Sequence, residues 1–479
     1  MNHQPKIETS PKVSDEVRKT TCYMCACRCG INVHLRDGEV SYIEGNRDHP
    51  VNQGVLCAKG SAGIMQHKSP ARLRAPLLRT GPRGSGEFKE ISWDEALDLA
   101  ASWLKPIRDE NPEKLAFFTG RDQSQSFTGL WAQQFGTPNY AAHGGFCSVN
   151  MAAAGIYTMG GAFWEFGQPD WERTKMFMIF GVAEDHDSNP IKMGLGRLKE
   201  RGAKVVGVNP VRSGYNAIAD EWVGITPGTD GLFILALIHE LLKAGKVDLG
   251  YLSRYTNAPY LVQSDPSNSE FGLFLRDENG EPLVLDRKTG QPAAWNAQGV
   301  QPELGKAWTG EDGIAHKSVF MLLAERYLSP DYAPEAVAEQ TGVSAATIRR
   351  LAAELAHTAF EEEITIDQPW TDFRGERHDE MIGRPVSFHA MRGISAHSNG
   401  FQTCRALHVL QILLGSVEVP GGFRFKPPYP KPMEAHPAPH AGVTPGAPLN
   451  GPHLGFVRGD RKSTRLNSSH SSVSRMPSS

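Results

Sequence analysis

The stretch TCYMCACRCG at residues 21–30 places four thiols, Cys22, Cys25, Cys27 and Cys29, within eight consecutive positions, and a fifth follows at Cys57. No other feature limits the folds open to this chain so sharply. Thiols packed this densely cross-link, hold metal or do redox chemistry, and the compartment selects among these. The first twenty residues, MNHQPKIETSPKVSDEVRKT, hold no apolar core and no Arg-Arg pair, so neither a Sec nor a Tat signal is expected. No apolar run reaches the roughly 18 residues that a membrane-spanning helix needs. A reducing compartment, most simply a bacterial cytoplasm, is therefore expected, and there clustered cysteines bind metal or carry electrons rather than form disulfides.

Three readings compete for the cluster. A zinc knuckle wants two Cys-x2-Cys pairs round one tetrahedral ion. Only Cys22–Cys25 has that spacing, so zinc would need an awkward second pair. Structural thiols are a second possibility. The third is an iron–sulfur cube, which needs four thiolates, three from a tight loop and one from a distance. Cys22-x2-Cys25-x3-Cys29, with Cys57 after a further 27 residues, fits it and leaves Cys27 spare. The loop is expected to point Cys27 away from the metal.

Length and charge bound the rest. A chain of 479 residues, 40% hydrophobic and 22% charged, is long enough for about three domains with sizeable cores. With 50 basic against 53 acidic residues there is no global field to hold nucleic acid or an anionic membrane. Residues 21–75 carry short alternating runs such as INVHLRDGEVSYIEG, suited to small β-structure round a metal centre. ISWDEALDLAASWL opens with Ser92 and Glu95 as a capping box before an apolar helical face. KMFMIFG (175–181) and KVVGVNP (204–210) read as buried strands flanking the helix IKMGLGRLKER, which ends at Gly202. Together they make a βαβ unit with parallel strands, hence an α/β doubly wound fold that binds ligands beyond the carboxyl ends of its strands. The polar loops 182–190 and 209–216 lie at that edge. ITPGTDGLFILALIHELLKAG adds a turn, a Thr229 or Asp230 cap and a helix closed by Gly245. EEITID and GRPVSFHAMRG read as further strands before a helix in CRALHVLQILLGS, with Cys404 as core.

Residues 426–459 are a Pro-rich connection, with nine prolines between 426 and 452. From Asp460 the chain stops resembling protein. DRKSTRLNSSH and SRMPSS match one translated frame of a common sequencing-library adapter and its far end. Residues 460–479 are therefore expected to be non-native, the natural sequence to stop near Gly459, and the gene to continue.

CYMCACRC…GVLCAKG, ARLRAPLLR, ISWDEAL, GFCSVNMAAAG, VGVNPVRSGYNAIADEWVGITPGTD and GISAHSNGFQTCRALHVLQILLGSVEVPGG follow one another in an order that resembles the molybdopterin oxidoreductases of the dimethyl-sulfoxide-reductase class. The likeness runs from 21 to 425. It implies a 4Fe–4S domain over 1–75, a discontinuous αβα pterin-dinucleotide domain over 76–140 and 355–425, a second over 141–354, and a C-terminal β-barrel missing from this chain. Within the class, TTCYMCACRCG and HGGFCSVNM are most similar to the members that oxidise sulfite and pass electrons to quinone. Polysulfide or thiosulfate reduction, formate oxidation and nitrate reduction remain rivals. Formate oxidisers usually place His or Arg directly after the metal-ligating residue, where this chain has Ser148. Rivals of another kind are a molybdenum-free electron relay within a larger assembly, or an inactive fragment.

The resemblance assigns Cys22, Cys25, Cys29 and Cys57 to the cluster and Lys59 to the basic position between cluster and pterin. Cys147 falls where many members place the protein ligand to molybdenum, and a soft thiolate suits a redox-cycling metal. His143 and His397 are candidates to hold a substrate oxyanion or move protons. The cofactor implied is molybdenum with two molybdopterin guanine dinucleotides, beside the cluster. Gly181, Asn209, Pro210, Gly228, Thr229 and Asp230 match positions round one dinucleotide, with Asp230 able to accept from guanine donors. At 209 many members have Asp where this chain has Asn. His397, Asn399 and Gly400 match a loop near the pterins. No Gly-x-Gly-x-x-Gly follows a strand, so NAD binding has no support. Partners implied are a ferredoxin-like iron–sulfur subunit together with a quinone-reactive membrane anchor, which would hold the chain at the inner face of the membrane. Lacking the closing domain, the fragment is expected to bind its molybdenum cofactor weakly or not at all. One long sequencing read through codon 459 is expected to show the frame running on into a further domain; a stop near 459 would instead favour a cluster-carrying remnant.

Overall fold

The computed structural model describes residues 14–25, 27–120, 125–142, 149–160, 168–182, 189–390 and 392–424. His143 and Cys147, the Pro-rich connection 426–459 and the tail 460–479 lie outside the described residues. The chain divides into two compact units, the first mainly the described residues up to Val149, the second mainly Asn150–Ala183 with the described residues from Leu195 to 424.

In the first unit the alternating run forms a three-stranded antiparallel sheet, with Gly30–Arg36 between Glu16–Thr21 and Glu39–Gly45. Asp37 and Gly38 take φ of 54° and 80°, the pair of positive values that a two-residue hairpin turn needs. The inward residues Ile31, Val33 and Ile43 close on Cys22 and Cys29, so this small core is built round thiols. Further on, Ala116–Thr119 and Asn139–Ala142 pair in parallel, with the helix Gln125–Phe135 between them. The helix Trp93–Glu110 starts as its sequence dictates, Ser92 Oγ accepting the Glu95 N–H at 3.1 Å.

The second unit is organised by a four-stranded parallel sheet in the order Glu221–Val223, Lys204–Val208, Met176–Phe180, Val386–Ala390. MFMIF and VSFHA are buried at every position, as strands covered on both faces must be. Met176, Met178, Phe180, Val386, Phe388 and Ala390 share one core with the helices Asp230–Lys243, Ala345–Phe360 and Gly400–Leu413. The sheet corrects one expected boundary. Residues 355–425 are expected alongside 76–140, whereas Val386–Ala390 hydrogen-bonds directly to Met176–Phe180, and 355–424 belongs with the second unit. A five-residue run buried at every position, Ser387 and His389 included, finds cover there beside the wholly apolar MFMIF. Cys404 is core as read: fully buried, its thiol is pushed up to about 12. Among the described residues no helix is long and apolar enough to cross a membrane.

Two histidines on these elements are buried and neutral. Burial brings His389 and His408 from the ordinary 6.5 down to about 4, and neither ring nitrogen of His389 has a hydrogen-bond partner. The unfolded chain takes up their protons first, so the stability they confer is whole above about pH 6.5 and falls away toward pH 4. Urea unfolding is expected to lose on the order of 3 kcal/mol per histidine across that window. His389→Leu should remove its share of the slope while costing little at pH 7. An unfolding midpoint independent of pH over this range would contradict the assignment.

Candidate functional site

Two sets of candidate residues are assembled, one in each unit. The loop 22–29 joins the first two strands and is closed at its base by the Cys22 N–H donating to Cys29 O at 2.8 Å. Asn52, fully buried, clips this base to the segment that carries Cys57. Its Oδ1 accepts the Gly30 N–H at 2.8 Å, while its Nδ2 donates to Gly30 O at 3.1 Å and Val55 O at 2.9 Å. Gly30 must be glycine, since a Cβ there would lie 2.3 Å from the His49 ring. Cys57 then opens the short helix Ala58–Ser61, and Lys59 within it is half-buried rather than a fully solvated surface lysine.

Cys22 and Cys29 are buried, Cys25 and Cys57 half-buried. Burial pushes the Cys22 thiol up first, and the neighbouring Cys25 and Cys57 push it further. The Met24 backbone N–H and the Arg28 charge pull the other way. Thiolates gathered this closely repel one another, so a cationic core among them would stabilise the charged forms. Arg28, at φ 50°, donates from Nη1 to Tyr23 O at 3.0 Å and braces the loop. Among the described residues no three His, Cys, Asp or Glu side chains converge on a single ion. A cube takes one thiolate at each iron and spreads its ligands round a larger core, which a loop plus one distant cysteine provides. Cys27, expected to point away, instead packs half-buried against Cys22, Cys29 and Ile31.

The second set lies at the carboxyl edge of the parallel sheet. The Gly181 N–H donates to Val208 O at 3.0 Å, and the Asn209 N–H to Val223 O at 3.2 Å, so adjacent strands are tied where they end. Asn209 is buried, and its Oδ1 accepts the Val211 N–H at 3.3 Å, the acceptor role an aspartate would fill; Pro210 beside it is exposed. Gly181, at φ 62°, meets Gly393 after the neighbouring strand, where a Cβ on Gly393 would stand 2.1 Å from Gly181 O. The turn Gly228–Thr229–Asp230 faces the 397–400 loop. Asn399 Nδ2 donates to Gly228 O at 2.9 Å, and a Cβ on Gly228 would stand 3.7 Å from His397 Nδ1. Asp230 is buried at the start of its helix. Burial raises its carboxyl above the usual range, its own backbone N–H and the charge of His397 opposing this.

Sequence-expected residues 181, 209, 228–230, 397, 399 and 400 are thus gathered along one sheet edge. Asn150 and Asn216 were not foreseen. Asn150 Nδ2 donates to Ser395 O at 2.8 Å and His397 O at 3.3 Å. Asn216, fully buried, donates to Val182 O at 3.2 Å, and its Oδ1 is left without a partner, as is the buried Ser395 Oγ. Glycines that leave room for close approach, orphaned polar atoms, a buried carboxylate and a helix N-terminus suit an extended polar ligand with phosphates. A pterin dinucleotide fits that description.

The family model for molybdopterin oxidoreductase matches residues 72–443, and that for the molybdopterin oxidoreductase Fe4S4 domain matches residues 15–69. A sulfite dehydrogenase subunit of Allochromatium vinosum is 53% identical over 455 residues, 92% of this chain and 47% of that one. The thiosulfate reductase molybdopterin-containing subunit of Salmonella typhimurium is 32% identical over 49% of this chain and 31% of its own length. Acetylene hydratase from Pelobacter acetylenicus superimposes with a TM-score of 0.59 at 18% identity, covering 85% of this chain and 44% of that one, a likeness of fold. The chain spans about half the length of these relatives, or less. Cys25→Ser or Cys57→Ser is expected to strip most bound iron and acid-labile sulfide and to bleach the visible absorbance, whereas Cys27→Ser should leave both unchanged. Equal loss in Cys27→Ser would mean the four ligands are wrongly chosen.

Proposed function

The chain belongs to the molybdopterin oxidoreductase family, and from that premise we propose that the protein it represents oxidises sulfite to sulfate and passes the electrons to a partner iron–sulfur subunit, then to quinone. The observation that carries this reading is the 53% identity to a sulfite dehydrogenase subunit over 92% of the chain. The reaction balances as sulfite plus water giving sulfate, two protons and two electrons. The protein therefore has to bind a small dianion, accept protons and lead electrons away singly.

When bound, the molybdenum cofactor supplies oxygen-atom exchange with a two-electron change, and the cluster supplies one-electron transfer. The chain's own residues hold and tune these groups. Cys22, Cys25, Cys29 and Cys57 hold the cluster, with Arg28 and Lys59 adding positive charge at that loop. Gly181, Asn209, Pro210, Gly228, Thr229 and Asp230 would hold one dinucleotide, backbone donors being suited to phosphate and the Asp230 carboxylate to guanine donors. Asn399 and Gly400 shape the loop on which the His397 imidazole stands, able to donate to a sulfite oxygen or to take a proton from water. Cys147 as molybdenum ligand and His143 as a second polar group complete the proposal. Partner subunits would keep the protein at the inner face of the membrane.

The test is sulfite-dependent reduction of a quinone analogue by the membrane-assembled protein, with thiosulfate, polysulfide and formate as parallel donors or acceptors and molybdenum measured per chain. Sulfite turnover with about one molybdenum per chain is the expected result. Turnover of thiosulfate or formate alone would replace sulfite by that substrate, and a cluster without molybdenum would favour the electron-relay reading. His397→Ala is expected to lower kcat/KM for sulfite by about a hundredfold.

A further inference from the structure

Asn150 stands at the second position of the helix Val149–Met159, and its side chain reaches away from that helix. Its carboxamide nitrogen donates to two carbonyls of one loop, Ser395 O at 2.8 Å and His397 O at 3.3 Å. The fit is close on the far side as well. A Cβ on Gly400 would lie 2.1 Å from Ser395 O and 2.9 Å from Asn150 Nδ2, so only glycine lets the loop turn over this nitrogen. The loop closes on itself through the Gly400 N–H, which donates to His397 O at 2.9 Å. Two residues on, Asn399 Nδ2 donates to Gly228 O at 2.9 Å. Two carboxamides thus hold the 395–400 loop from opposite ends, one tied to the helix Val149–Met159, the other to the turn that presents Asp230.

We propose that Asn150 is a positioning residue: by satisfying the carbonyls of Ser395 and His397 it sets the direction in which the His397 imidazole points, and so the binding of the oxyanion substrate. The role rests on the function proposed above, although the anchoring itself is independent of substrate. Both carbonyls accept from the carboxamide, and the backbone bonds that also hold 395–400 include Ala396 N–H to Arg392 O and Gly400 N–H to His397 O, each at 2.9 Å. Removing the donor leaves Ser395 O without its 2.8 Å partner and His397 O held by the Gly400 N–H alone, which loosens the start of the loop, and a small misdirection of a substrate-holding group costs much of its effect. Asn150 touches no reacting atom in this scheme.

The test compares Asn150→Leu, which is near in volume and donates nothing, with Asn150→Asp, which keeps the shape and loses the donor. Amide hydrogen exchange is read by peptide in the 479-residue chain, and sulfite kinetics in the assembled enzyme. Both variants are expected to speed exchange about tenfold in 395–400 while leaving the helix Asp230–Lys243 unchanged, and to raise KM for sulfite about tenfold with kcat altered far less. Exchange unchanged at 395–400 overturns the proposal, and so does exchange raised equally throughout the second unit, since Asn150 would then be a structural residue. A change in kcat with KM untouched overturns it too. If the unsubstituted enzyme does not turn over sulfite although both variants loosen only 395–400, the functional reading fails and the anchor stands.

Discussion

Parallel pairing of Val386–Ala390 with Met176–Phe180 is the contact on which the second unit depends. It brings the loop bearing His397, Asn399 and Gly400 to the sheet edge, where Asn399 ties it to the turn bearing Gly228, Thr229 and Asp230. Burial of Met176, Met178 and Phe180 with Val386, Phe388 and Ala390 supplies the stabilisation, and the hydrogen-bonded register supplies the precision, since a slip by one residue would turn Phe388 out of the core. Gly181 and Gly393 then let the two strand exits come nearer than any side chain would permit. The edge is a place where backbone, not side chain, is presented.

The first unit solves a different problem. Its small core is assembled from Ile31, Val33, Ile43 and Leu56 packed with Cys22, Cys27 and Cys29, so apolar packing and metal-binding groups are the same atoms. Such a core gains little from burial alone, because burial makes Cys22 harder to ionise and its neighbours Cys25 and Cys57 add repulsion. A cationic inorganic core reverses both penalties at once. A bound cluster would for that reason stabilise the fold of this small core.

Much of this was legible in residue order. The runs KMFMIFG and KVVGVNP announce buried strands because MFMIF and VVGV hold no polar side chain to turn toward water. INVHLRDGEVSYIEG announces a hairpin through its alternation and its Asp-Gly turn. The cysteine spacing separates a cube from a zinc knuckle only in part, and the matched Fe4S4 model carries the rest. What the residues do not reveal is partnership across distance. Val386–Ala390 reads as a strand, but not as the neighbour of Met176–Phe180, since parallel pairing leaves no local mark. Asn52 and Asn150 look like ordinary polar residues because what they hold are main-chain carbonyls and amides, which every residue possesses. Cys27 could be recognised as surplus by counting, but its inward packing follows from the shape of the loop.

The order of the parallel strands also bears on how the chain is made. Val386 finds its partner about 200 residues upstream, far beyond the reach of local structure, so this edge of the sheet is completed last during synthesis. Until then Met176–Phe180, apolar at every position, has one side of its backbone unpaired. A ribosome paused anywhere between the two leaves a nascent polypeptide exposing a sticky strand edge, the kind of surface that chaperones recognise and that aggregates when they are absent. For this molecule, translation speed through the intervening stretch is part of the folding problem.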